Sequence, residues 1–409
     1  MELEEDRLSS LPKIILHHIL SKLPEKDGVR TSVLSKAWLD TWYTFPTLSF
    51  SGNEIIGISP QPMERKRYIL KFGDYVKRRM LMFRDQSLAI KEFKLNVNSS
   101  VLSYMSKNVD IWLKLACECG VEAVEYSQMI PPVGQKQYHV LPISIIEAKS
   151  ITKLALEGFI KIDPIFMNYS IKFLSLRVLS LRRVLLGDEH AINQLISLCP
   201  LLEYITLESC HVLSFGGGKQ GLMKSISISG LQKLKRVDVL EIKYVSIDAS
   251  SLENLCYHLG NKIDFDRCRN LKELYLRSVA STFLTNKWFL ELFTKFPFLE
   301  SLKLNKCEIP ERIDISSVRL KRLEFSLCFN LKEVNIDAPN LLSFGYHGSG
   351  VSKPTISFLR NSSQLEVNIH IVLDYEDLCN LREFLQNIQP NNVLTSPSLT
   401  LSIGRRSRV

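Results

Sequence analysis

Apolar positions in the first 50 residues fall into short helical groups. Ile15, Leu16, Ile19, Leu20 and Leu23 recur at helical spacing and predict one helix with a broad apolar face. Ser10 is its expected N-cap, Pro12 sits in its first turn, and Pro24 stops it. Asp27 is placed to cap a second helix carrying Val29, Val33 and Leu34. Ser35 is placed to cap a third, with Trp38 and Trp42 one turn apart on one side. Helices this short are marginal alone, and about 40 residues bury too little surface for independent stability. Part of this apolar surface therefore meets something else, either a partner or the rest of the chain. Residues 51–63 read as a linker. Residues 64–86 predict a basic amphipathic helix, with Arg65, Lys66, Arg67, Lys77, Arg78, Arg79 and Arg84 set against Tyr68, Phe72, Tyr75, Val76 and Leu81. The plain reading is a solvated basic face on a helix that packs through its aromatic side; the sharper one is an import or phosphate-binding segment.

From about residue 90 a different period takes over. The pattern L-x-x-L-x-L-x-x-C fits Leu202, Ile205, Leu207 and Cys210, then Leu299, Leu302, Leu304 and Cys307, then Leu320, Leu323, Phe325 and Cys328. Weaker copies begin at Ile90, Val121, Ile151, Leu176, Met223, Leu234, Leu271, Leu331 and Leu341. This is the leucine-rich-repeat signature: a short strand, a buried ninth side chain, then a return segment. The expected class is α/β, with three N-terminal helices followed by a curved solenoid whose parallel strands line the concave face. Helical returns are expected at Asp110–Glu118 and Glu189–Leu198. The spacings of 11 and 10 residues between Leu320, Leu331 and Leu341 are too short for a helix. Tightly connected strands and an antiparallel meander both remain open there. Asp374–Asn387 predicts a helix, Ser398–Ile403 a last strand, and 404–409 a basic tail.

The residues also carry a family resemblance. Leu11-Pro12, Ile15-Leu16, Ile19 to Pro24, Asp27, Val29 to Lys36, Trp38 and Trp42 resemble the F-box of plant F-box proteins over about residues 6–48. Gly28 departs from that pattern where alanine is commoner, as do Ala37 and Leu39 where basic residues are commoner. A helical Gly costs about 1 kcal/mol relative to Ala, so looser partner docking is expected. Leu113–Val124, Leu198–Glu203 and Asp337–Leu341 are similar to plant F-box proteins of the leucine-rich-repeat type. The resemblance implies an F-box at 6–50, a linker and basic helix at 51–89, repeats at 90–373 and a C-terminal segment at 374–409. It further implies docking on a Skp-family adaptor of a cullin–RING ubiquitin ligase, through Leu11, Pro12, Ile15, Leu16, Ile19, Leu23, Val29, Val33 and Trp38.

Composition narrows the class without changing it. The 409 residues are 45% apolar and 23% charged, as in folded globular chains. Lys plus Arg number 52 against 43 acidic residues, a net charge of +9 that permits but does not demand a polyanionic partner. No apolar stretch is long enough to span a membrane, and the acidic start lacks the order of a secretory signal. A nuclear or cytoplasmic protein is expected. The nine cysteines are scattered and form no C-x-x-C pair, so buried reduced thiols are expected rather than a zinc or redox site.

Catalytic constellations are missing from the sequence, and no cofactor or metal is expected. Gly216-Gly217-Gly218-Lys219 lacks the spacing of a phosphate loop and reads as an insertion between repeats. His17 and His18 read as surface residues of the first helix. Side chains alternate along a strand, so the x positions form a stripe. It runs through Arg182; Tyr204, Thr206 and Glu208; Arg236 and Asp238; Glu273, Tyr275 and Arg277; Ser301, Lys303 and Asn305; Arg322 and Glu324; Glu333 and Asn335. Tyr and Arg are enriched at interface hot spots. The mixed charge argues for a protein target and against a nucleic-acid groove. The chain thus reads as a non-catalytic substrate-recognition subunit of an SCF-type E3 ubiquitin ligase. A repeat-borne receptor for a small hormone-like molecule and a non-ligase interaction scaffold are the alternatives.

Overall fold

The structure is a computed structural model and describes residues 10–23, 25–52, 62–129, 138–163, 173–187, 190–213, 220–279, 282–349, 354–373, 388–390 and 398–403. The expected helix at 374–387, the basic tail, the Gly216–Lys219 insertion and Pro24 lie outside these residues. The chain divides into two compact units, Met1–Gly187 and Asp188–Val409.

The first unit opens with helices α1 (Lys13–Lys22), α2 (Glu25–Thr31) and α3 (Lys36–Thr44). Helix α1 starts later than expected: Pro12, not Ser10, occupies its cap position, with no side-chain cap bond. It ends with Leu23 in extended geometry, the conformation a following proline imposes. Asp27 does not cap α2; it lies inside that helix and pairs with Arg30 at 3.2 Å. Ser35 does cap α3, its Oγ accepting from the Trp38 N–H at 3.2 Å.

Strand β1 (Thr47–Ser51) follows α3 directly, and helix α4 (Pro62–Asp85) comes next. Then come β2 (Glu92–Asn98), α5 (Ser99–Glu118), β3 (Ala123–Met129), β4 (Lys153–Gly158) and β5 (Val178–Arg182). Strands β1 to β5 pair in chain order, all parallel. The ladder therefore begins before residue 90. Phe45, Leu48 and Phe50, all buried, already keep the L-x-x-L-x-L spacing, with aromatics in two leucine positions.

In the second unit the ladder strands are β6 (Tyr204–Glu208), β7 (Arg236–Leu240), β8 (Asn254–His258), β9 (Glu273–Arg277) and β10 (Ser301–Asn305). They continue as β11 (Arg322–Ser326), β12 (Ser343–Ser349), β13 (Glu366–Leu373) and β14 (Ser398–Ile403). All pair in parallel in that order. On β6 to β13 the leucine positions are buried, and Cys210, Cys307 and Cys328 are buried at the ninth. The Cys307 thiol points at the Leu276 carbonyl at 3.5 Å and that of Cys328 at the Leu304 carbonyl at 3.4 Å. Each thiol thus lies against the preceding rung.

The short spacings near 320–341 resolve as parallel strands in two different sheets. Equivalent positions on β10, β11 and β12 are 21 residues apart, as in the Lys321–Glu300 pair. The intervening 312–316, 333–338 and 355–361 strands form a second parallel sheet. The Leu331 copy therefore belongs to that second sheet, as does the Met223 copy to a similar sheet of 225–229, 244–248 and 262–264. A full repeat of 21 residues has room for a strand out and a strand back, but not for a helix. Where the connection is longer, the return is helical, as at Ala191–Ser197 and Asn286–Lys295.

Candidate functional site

Two surfaces follow from this architecture, one on the helices and one on the open face of the ladder. On the helices, Leu16, Leu20, Trp38 and Phe45 form a buried cluster, with Leu11, Ile19, Leu23 and Trp42 packed half-buried against it. Leu16 and Trp38 are each 3% exposed. They hold the bundle together and are not available to a partner, which corrects their expected docking role. Pro12, Ile15, Val29 and Val33 are exposed. Ile14, which the sequence reading passed over, and Leu34, which it placed on the second helix but not in the docking set, are 76% and 65% exposed. The apolar stripe of α1 is thus divided: Leu16 and Leu20 face in, Ile14 and Ile15 face out. His18 is exposed, whereas His17 is half-buried with its ring edge-on to Phe45 at 5.6 Å. Its pKa is lowered, chiefly by burial and then by Lys13.

Arg79 ties these helices to the rest of the first unit. It reaches from α4 to the C-terminal end of α3, donating to the carbonyls of Trp42 at 2.9 Å and Tyr43 at 3.2 Å. Its guanidinium lies 5.2 Å from the Trp42 ring and 5.4 Å from the Phe83 ring. A helix C-terminus carries partial negative charge, so a buried cation there is partly compensated. The sequence reading counted Arg79 with the solvated basic residues; at 5% exposure it is a core residue.

The ladder face is set by strand register. Tyr204, Arg236, Asn254, Glu273, Ser301 and Arg322 form one row across adjacent strands. Thr206, Asp238, Cys256, Tyr275, Lys303 and Glu324 form the next. Glu208, His258, Arg277 and Asn305 lie in the third. Most of the predicted stripe is therefore brought together, with Arg182 on the ladder of the first unit. Glu333 and Asn335 are not part of it, because their strand belongs to the second sheet. Ser301 is 3% exposed and serves as floor.

Cations and carboxylates on this face already pair. Arg322 bonds to Glu273 at 2.6 Å, Lys303 to Glu324 at 3.1 Å, and Arg236 to Asp238 at 3.1 Å. Any molecule docking on this face would have to share or exchange these contacts, an arrangement that favours specificity over raw affinity. Tyr275 stands edge-on to His258 at 4.9 Å. His258 has its pKa lowered, first by burial and then by Arg277. The Cys256 thiol lies 3.0 Å from His258 Nε2, but burial pushes that thiol up to about 12, so it stays protonated and unreactive. A depression of about 200 Å³ lies among Arg236, Asp238, Cys256, Tyr275 and Lys303. A wider one, about 540 Å³, opens on the first unit's ladder among Lys94, Asn96, Glu125, Lys153 and Arg182. Of these five, the sequence reading had named only Arg182.

The rung at β8 was also missed. Its pattern is Leu252-x-x-Leu255-x-Tyr257 with Gly260 at the ninth place. The Tyr257 hydroxyl lies 2.9–3.2 Å from the backbone carbonyls of Ile242, Lys243 and Lys262, and its one proton goes to one of them. A β-carbon on Gly260 would stand 1.8 Å from that oxygen. One large side chain thus fills the place of two ordinary ones, and the Tyr–Gly pairing was the available signal.

Among the described residues no helix is long and apolar enough to cross a membrane, and no group of three or more His, Cys, Asp or Glu side chains could hold a metal ion. A three-helix bundle running straight into a ladder of parallel leucine strands defines an F-box protein of the leucine-rich-repeat class. Comparison with known families agrees. The F-box domain model matches residues 8–49. The model of the LRR repeats of the FBD-associated F-box protein At5g56370 matches 109–269, and that of the At1g61320/AtMIF1 LRR domain matches 242–395. F-box/LRR-repeat protein 25 of Arabidopsis thaliana is 31% identical over 232 residues, 56% of this chain and 77% of that protein. The putative F-box/LRR-repeat protein At4g15060 of the same plant is 26% identical over 353 residues, 82% of this chain and 78% of its own length. The FBD-associated F-box protein At3g52670, also from Arabidopsis thaliana, is 28% identical over 279 residues, 66% of this chain and 58% of that protein. The chain belongs to the plant F-box/LRR-repeat family. It spans about half the length of several curated relatives, between 41% and 58% of the first four.

Proposed function

We propose that the chain is a substrate-recruiting subunit of an SCF-type ubiquitin ligase, with no bond chemistry of its own. The helices at 8–49 bind a Skp-family adaptor of a cullin–RING complex, and the ladder face holds a protein target. Its contribution is proximity, which raises the effective concentration of target lysines near a separate ubiquitin-carrying enzyme.

One observation carries the reading. The N-terminal helices close their own core with Leu16, Leu20, Trp38 and Phe45, yet leave Ile14, Ile15, Val29, Val33 and Leu34 facing solvent. A bundle that needed only to fold would not keep five aliphatic side chains exposed within so short a stretch. The adaptor-docking set is therefore Leu11, Pro12, Ile15, Ile19, Leu23, Val29 and Val33, extended by Ile14 and Leu34. Co-purification with a recombinant Skp-family adaptor tests it. Ile15→Glu/Val33→Glu should lose the adaptor while keeping its thermal transition, and Leu11→Ala/Pro12→Ala should weaken it. Equal adaptor recovery by wild type and the glutamate variant would defeat the assignment.

A further inference from the structure

The basic stretch of α4 takes no part in either of these docking events. Its inward side is committed: Ile69, Phe72, Val76, Met80 and Phe83 are fully buried. Phe72 meets Trp112 of α5 edge-on at 5.9 Å. Such a helix cannot unwind into an extended import peptide without giving up that core.

The outward side carries a run of exposed cations. Lys66, Arg67, Lys71, Lys77 and Arg78 are exposed, and none is within ion-pair distance of a carboxylate among the described residues. On the ladder, by contrast, exposed lysines pair with the neighbouring rung, as Lys235–Glu203 at 2.8 Å, Lys272–Glu253 at 3.1 Å and Lys321–Glu300 at 2.9 Å do. Unlike those pairs, the five open cations lie together on one helix between Lys66 and Arg78. From Lys66 to Arg78 the open set spans about 18 Å of helix, too far apart to converge on a single phosphate. Apolar side chains stand among them: Leu70 is 49% exposed on α4, and Tyr104 and Ile111 are 56% and 53% exposed on α5. Lys66 Nζ lies 6.0 Å from the Tyr104 ring centre, so the two helix faces are continuous. Asp74 is exposed on the same stretch of α4.

We propose that the outer face of α4 and α5 docks an acidic, partly apolar segment of another protein. Its carboxylates meet the five open cations, and its apolar side chains meet Leu70 and Ile111. Asp74 favours a protein over an anionic membrane, because lipid phosphates repel a carboxylate on that face, whereas a protein segment can offer it a lysine.

The test uses the full chain and a fluorescent synthetic helical peptide of glutamates and leucines with one central lysine, followed by anisotropy at low and physiological salt. Lys66→Glu/Arg67→Glu/Lys77→Glu/Arg78→Glu should weaken binding about tenfold or more and flatten its salt dependence. Reversing four exposed lysines of the second unit, Lys233→Glu/Lys243→Glu/Lys262→Glu/Lys306→Glu, should leave affinity within about twofold. Leu70→Ser/Ile111→Ser should weaken binding with the salt slope unchanged. Equal losses from both charge reversals would overturn the proposal, as would a peptide indifferent to the α4 variant. So would vesicles of phosphatidylserine and phosphatidylcholine that bind through this face when the peptide does not. Circular dichroism confirms that each variant is folded before titration.

Discussion

The Trp42 ring stands 2.8 Å from where a β-carbon on Gly28 would be. The glycine that departs from the family pattern is therefore also a packing solution. Helix α2 passes close to the α3 tryptophan, and the Arg79 guanidinium lies 5.2 Å from the same ring, which limits how far the ring can retreat. Gly28→Ala adds about 1 kcal/mol of helix propensity but forces an overpacking that costs about 1–3 kcal/mol. The expected outcome is a lower melting temperature for the alanine variant, measured by thermal circular dichroism. A higher one would mean that the ring moves freely.

Arg79 supports a second prediction. Arg79→Met keeps much of the stem but loses both charge-assisted bonds to the C-terminal end of α3; the Trp42 carbonyl keeps the Phe45 N–H, whereas the Tyr43 carbonyl loses its Arg79 donor. The substitution should destabilise the first unit by about 2–4 kcal/mol. Arg79→Lys should restore only part of this, since an ammonium cannot reproduce the planar fork. Denaturant titration of the three proteins checks the order wild type, then lysine, then methionine.

At β8 the Tyr257 hydroxyl occupies the space a side chain at position 260 would need. Gly260→Ala should therefore destabilise by about 1–3 kcal/mol, as overpacking does. The double variant Tyr257→Leu/Gly260→Ala should recover part of the loss, because a β-carbon at 260 would stand 2.1 Å from a ring carbon as well as against the hydroxyl, and leucine removes both. A double-mutant cycle on chemical denaturation reads the coupling; additive losses would contradict the shared-space account.

Acid should weaken the first unit through His139. This residue is 8% exposed, and its Nε2 lies 3.1 Å from Asp110 Oδ1 while its Nδ1 lies 3.0 Å from the Tyr126 hydroxyl. A carboxylate only accepts, so Nε2 carries the proton and Nδ1 accepts from the tyrosine. Burial lowers the His139 pKa, with the Asp110 carboxylate pulling the other way. A histidine with a depressed folded pKa contributes stability that is present above its unfolded value near 6.5 and is lost as pH falls through the folded pKa. Wild type should thus lose melting temperature on going from pH 7 toward pH 5 more steeply than His139→Gln, which lacks the titrating ring. Parallel curves would remove His139 as the cause.

Much of this molecule was legible from pattern alone. Leu299, Leu302, Leu304 and Cys307 announce a strand and its buried turn, because a side chain that alternates in and out has to be apolar on one parity only. Ser35 announces the start of α3 because an unpaired helix N–H needs a nearby oxygen. The rungs at Phe45 and Leu252 escaped notice because Phe and Tyr took leucine places, and the volume they fill is visible only once their neighbours are placed.

The amino-acid order by itself determined the class: helices ahead of a parallel leucine ladder, with polar residues set on one face of it. Such periodicities are local, and local spacing dictates which side of a strand or helix is apolar. Which apolar residues are spare was decided only by the folded molecule. Ile15 and Leu16 are neighbours with the same hydrophobic character, yet one faces solvent and the other closes the core. Arg78 and Arg79 are neighbours with the same charge, yet one is open to a partner and the other is sealed against Trp42. Burial depends on what the rest of the chain brings alongside, and that contact is a property of three dimensions.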